Sequence, residues 1–120
     1  MSESQLLVNT ESGVTVVTFR TASILEGSAI EDISRELFDL VDNQAQRKLI
    51  LDFHQVKFLS SSMLGVLIQL QKKTAAIKGR AVIVNLKPEL QKVFKITRLD
   101  KLFTFFGSDK DALESFGVGA

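Results

Sequence analysis

The chain contains no cysteine, so neither disulfide staples nor thiolate metal ligands are open to it. Its one histidine, His54, excludes a cluster of imidazole ligands, and the remaining residues supply no metal set. Tryptophan and tyrosine are also missing, which removes the aromatic faces that a nucleic-acid reader would use for stacking. Seven glycines are present, yet neither a P-loop nor a dinucleotide fingerprint can be written from them. No apolar run approaches the roughly 18 residues needed to span a bilayer. The first residues, Met1–Gln5, lack the basic and apolar regions of a secretory signal. These absences argue for a cytoplasmic protein with no cofactor, no metal, no membrane and no nucleic acid.

What is present is ordinary for one soluble domain spanning residues 1–120: 45% hydrophobic and 24% charged residues, enough chain to bury a core without staples. Net charge is only +1, but it is unevenly spread. Residues 1–60 hold five Lys or Arg against nine Asp or Glu, a net of −4, and residues 61–120 hold ten against five, a net of +5. Cations near helix C-termini account for much of the second half.

Leu6–Asn9 and Val14–Phe19 read as strands joined at Glu11-Ser12-Gly13, an antiparallel hairpin. After a loop over 21–27, Ser28 and Glu31 have the spacing of a capping box. Ile30, Ile33, Leu37, Leu40 and Val41 then give the apolar stripe of a helix over about 29–44. Leu49–Phe53 and Ala81–Leu86 are short, nearly unbroken apolar runs, as expected of strands covered on both faces. A helix over about 62–78 lies between them, and strand–helix–strand in this order implies a right-handed crossover with parallel strands. Pro88 opens a short helix, Phe103–Phe106 reads as an edge strand, and Ser108 to Asp111 is a second capping box.

Chemistry is sparse. A Ser–His hydrolase would need Gly-x-Ser-x-Gly, and Leu59-Ser60-Ser61-Ser62-Met63 lacks both glycines. Asp52 suits a hydrogen-bonded residue at a strand end better than an acid catalyst. No enzyme is expected. The stretch that stands out is Phe58-Leu59-Ser60-Ser61-Ser62-Met63-Leu64-Gly65-Val66-Leu67, three consecutive hydroxyls at a helix start on the C-terminal edge of a central strand. Such serines can simply cap the helix. The same position also tolerates an added phosphate, because the helix start carries about half a positive charge. On spacing alone both uses stay open.

That stretch resembles the signature of the STAS domain, the fold of the anti-sigma-factor antagonists, whose usual form is an apolar pair, Asp, Ser, Ser or Thr, Gly, Leu, Gly. The likeness extends from about Val14 to the C-terminus. The resemblance implies an α/β fold: a mixed four- to five-stranded sheet with an N-terminal antiparallel hairpin, central parallel strands and about four helices. It further implies Ser61 as the residue phosphorylated by a partner kinase, with Ser60 and Ser62 as alternative acceptors. The partner-binding surface it implies comprises Ser23, Ile24, Leu25, Glu26 and Gly27 together with Ser60, Ser62, Met63 and Leu64. The partner would be an anti-sigma factor that is also a serine kinase with a histidine-kinase-like ATP-binding fold, and a phosphatase would reverse the modification. Two positions depart from the pattern: Ser60 stands for the Asp and Met63 for the first Gly. These departures favour a second reading, a STAS protein-binding scaffold that is not phosphorylated.

Overall fold

The computed structural model describes residues 6–21, 23–24 and 27–117, with side chains for 6–21 and 30–117. Strands β1 (Leu6–Glu11) and β2 (Val14–Phe19) form the expected antiparallel hairpin. Ser12 and Gly13 both take positive φ, 52° and 83°, the paired left-handed geometry of a tight turn whose twist matches that of the strands. A two-residue strand, β3 (Ser23–Ile24), precedes helix α1 (Gly27–Asp42). The helix thus starts two residues before the expected Ala29, and Ser28 lies inside it instead of capping it. At its other end the chain leaves through Ala45 in left-handed backbone.

Next come β4 (Lys48–Asp52), the short β5 (Phe58–Leu59), α2 (Ser61–Ala76) and β6 (Arg80–Val84). They are followed by α3 (Pro88–Ile96), a 3-10 turn at Leu99–Lys101, β7 (Thr104–Phe106) and α4 (Asp109–Ser115). The main sheet runs β1-β2-β4-β6-β7, antiparallel only in the hairpin, and β3 pairs in parallel with β5 beside it. Both apolar runs, β4 and β6, sit side by side in parallel at the sheet's interior, Leu51 opposite Ile83.

Alternation along those strands divides the core. Leu49, Leu51, Phe53, Ala81 and Ile83 pack with α1, α2 and α3, while Ile50, Val82 and Val84 pack with α4. On α1 every residue of the expected stripe is buried. On α2, Met63, Leu64, Leu67, Leu70 and Thr74 are buried, spacings of three and four that fix the rotation of the helix. Phe94 of α3 meets Phe103 and Phe105 edge-on, at 6.3 and 5.7 Å between ring centres.

The exit of α2 is tightly built. Gly79 N–H donates to the Thr74 carbonyl and Lys78 N–H to that of Ala75, with Lys78 left-handed at φ 62°, the pair of bonds of a Schellman cap. A Cβ on Gly79 would collide with the backbone of Arg47, whose carbonyl accepts from Arg80 N–H at 2.8 Å. That close approach holds the parallel start of β6 against the entry to β4.

Candidate functional site

The serine cluster sits where β5 turns into α2, at the C-terminal edge of the main sheet. Ser60 takes extended backbone (φ −84°, ψ 163°) and its hydroxyl accepts from Met63 N–H at 3.2 Å. Its own carbonyl accepts the first helical bond, from Leu64 N–H at 3.1 Å. Ser60 is therefore the N-cap. Ser61 and Ser62 are the first two helical residues, both exposed, and neither side chain forms a hydrogen bond among the described residues.

The rotation of α2 decides this division of labour. Met63 is 0% exposed and Leu64 8%, both part of the core beneath the helix. Met63 and Leu64 are accordingly corrected as surface contacts: their apolar side chains anchor the first turn and are not offered to a partner. With them pointing in, Ser61 and Ser62 point out. Met63 thus leaves the Ser61 hydroxyl unshielded. The first turn carries no acidic residue, so the positive end of the helix has no carboxylate of its own to meet.

Ser23 and Ile24 pair with Phe58 and Leu59, which brings the loop before α1 alongside the approach to the serines. The side chains of Ser23, Ile24 and Gly27, and all of Leu25 and Glu26, lie outside the described residues. Sequence reading missed this pairing, since a two-residue strand is too short to show periodicity. It missed Phe58 as well, which is 58% exposed where most phenylalanines of the chain are in or against the core. Beside Phe58 lies a hollow of about 590 Å³, lined by Lys57, Phe58, Leu59, Lys87, Glu89, Leu90 and Val93.

Near the ends of β4 and β6 is a separate polar knot. Asp52 is only 6% exposed and accepts from His54 N–H at 2.9 Å and from the Asn85 amide at 3.2 Å. His54 Nδ1 lies 3.0 Å from the same oxygen. The Asn85 amide also reaches Asp109 at 3.3 Å, tying α4 to the sheet. Burial foremost, and the Asp52 carboxylate next, push the Asp109 carboxyl above its ordinary range, partly offset by His54 and the Asn85 bond. Among the described residues His54 has no hydrogen bond to a serine, and no group of three His, Asp or Glu could hold a metal ion. No helix among them is long and apolar enough to cross a membrane.

The family described as the STAS domain matches residues 5–112. The chain belongs to the STAS family. This STAS domain is 27% identical over 93 residues to a protein of Bordetella bronchiseptica named as the anti-sigma factor antagonist BtrV, covering 78% of this chain and 79% of that one. Its fold matches the crystal structure of TM1081 from Thermotoga maritima, titled an anti-sigma factor antagonist, with TM-score 0.80 at 20% identity over 92% of each chain. It also matches the Bacillus cell fate determinant SpoIIAA in its phosphorylated form, with TM-score 0.73 at 20% identity over 92% of this chain and 98% of that one.

Proposed function

We propose that this STAS domain is an anti-sigma-factor antagonist that binds a kinase acting as anti-sigma factor and is switched off by phosphorylation of Ser61. In its unmodified form it docks through the serine turn and the adjoining β3 segment, and docking frees the sigma factor. Transfer of a phosphoryl group to Ser61 then ends the interaction. The observation that carries this reading is the exposure of Ser61 at the first turn of α2, its hydroxyl spared from capping by Ser60.

The sign of the switch follows from electrostatics. A phosphoserine adds about −1.5 to −2 charge, which its own helix start accommodates. Pressed against a partner surface without matching cations, it costs the complex about 3–5 kcal/mol, by analogy with broken buried ion pairs. Since about 1.4 kcal/mol is tenfold, affinity falls by roughly a hundredfold to a few thousandfold. No refolding is required.

Incubation with the cognate kinase and ATP, followed by peptide mapping, tests the reading. A single phosphoryl group on Ser61 is expected. Its absence from Ser60, Ser61 and Ser62 alike sinks the switch. A second reading, a scaffold that binds its partner without being phosphorylated, is favoured by the N-cap of α2, where Ser60 stands for the family's Asp. Tight partner binding that ATP leaves unchanged would select it.

A further inference from the structure

The basic half of the chain divides in two. Lys73 pairs with Asp42 at 2.9 Å and lies over the Phe38 ring, and Arg80 stacks on Phe116 and bonds Ser115. These cations hold the domain together. Lys87, Lys92, Lys95, Arg98 and Lys101, on α3 and the turn after it, enter no ion pair or side-chain hydrogen bond among the described residues.

Three features mark this surface. With Leu90 and Phe94 buried, the opposite side of α3 carries Lys92 and, four residues on, Ile96. Ile96 is 81% exposed, with Lys95, Thr97 and Arg98 beside it in sequence. Arg98 takes left-handed backbone at φ 64°, a conformation cheap for glycine and costly for arginine. Finally, α3 stands as a ridge between two hollows. One, about 520 Å³, includes Gln91, Phe94, Lys95, Asp100, Phe105 and Phe106, and the other is the one beside Phe58.

We propose that α3 and the turn after it form a docking surface for an acidic segment of a protein partner, with Ile96 as its apolar anchor. The surface needs no phosphorylation and does not depend on Ser61. Five cations against the two carboxylates of Glu89 and Asp100 leave the surface net positive, and charge complementarity selects the occupant. A second copy of the chain is a poor one, since three acids of α1 are engaged at home: Asp32 with Arg35, Asp42 with Lys73, Asp39 with Asn43 and Gln44. An aliphatic anchor gives no stacking face for nucleic acid bases. One isoleucine on a nine-residue helix is far short of the apolar face that membrane-surface helices insert.

The full isotope-labelled chain, titrated with a synthetic peptide alternating glutamate and leucine, tests this by amide shifts. The largest shifts are expected at Lys92, Lys95–Arg98 and Lys101, with binding that weakens as salt is raised. Arg98→Gly and Ile96→Ser should each weaken the peptide about threefold to tenfold, the loss of one contact in a weak interface. Arg98→Gly should do so with unchanged or raised thermal stability, because glycine takes the left-handed conformation freely. Absence of binding, shifts centred elsewhere, or indifference to both substitutions overturns the proposal. So does tighter binding to duplex DNA or to phosphatidylglycerol vesicles than to the peptide.

Discussion

Placing a negative charge at Ser61 should leave the fold as stable as before or slightly more so, and Ser61→Asp is the perturbation that measures it. Ser61 is the first residue of α2, exposed, in a turn that has no acid of its own. A carboxylate there meets the positive end of a sixteen-residue helix, an interaction worth about 0.3–1 kcal/mol at an exposed position. For a chain of 120 residues that is a rise of roughly 1–5 °C in melting temperature. The gain should shrink in 0.5 M salt, where the Debye length falls to about 4 Å. Ser60→Ala is the internal control, because it removes the hydroxyl that accepts from Met63 N–H. Loss of that cap should cost about 1 kcal/mol and lower the melting temperature by a few degrees. The assay is thermal unfolding followed by circular dichroism, at low and high salt. If Ser61→Asp destabilised the domain by more than the cap deletion does, Ser61 would not be the free residue of the turn, and a phosphate there would harm its host.

Three further outcomes follow from the packing. Gly79→Ala should lower stability by about 2 kcal/mol or more in denaturant unfolding, since the new Cβ meets the Arg47 backbone rather than a side chain that could move aside. Gln71→Leu should cost about 1–3 kcal/mol, because its amide both accepts from Ala81 N–H at 2.9 Å and donates to the Ala81 carbonyl at 3.1 Å. Asp109→Asn should raise stability at pH 7: a carboxyl pushed up in the folded state opposes folding once ionised. That advantage should close as pH falls below the ordinary value of 3.8, where the acid is protonated whether folded or unfolded. Urea midpoints measured across pH check the sign.

Much of the fold could be read from the chain because its signals are local or periodic. The stripe from Ile30 to Val41, the turn at Ser12-Gly13 and the two unbroken apolar strands each depend on a few neighbouring residues. Ser108 likewise caps α4, accepting from Asp111 N–H at 3.2 Å, as its spacing foretold. The serine site was only half legible. Three adjacent hydroxyls compete for one cap, and the rotation of α2 settles it, through the burial of Met63, Leu64, Leu67 and Leu70. That phase was present in the sequence, but the resemblance set Met63 on the partner-binding surface when it belongs in the core. The pairing of β3 with β5 and the Asn85 bridge from Asp52 to Asp109 had no sequence signal. Each joins segments tens of residues apart through one or two contacts. The division of cations between structural ones and the free ridge on α3 was hidden for the same reason, since it depends on Asp42 and Phe116 arriving from elsewhere in the fold.

The most direct test of the switch is the affinity of the cognate ATP-binding partner for the unmodified domain and for the same domain phosphorylated at Ser61, measured by calorimetry. A fall of roughly a hundredfold or more is predicted, with both forms equally folded. Equal affinities for the two forms would contradict the account.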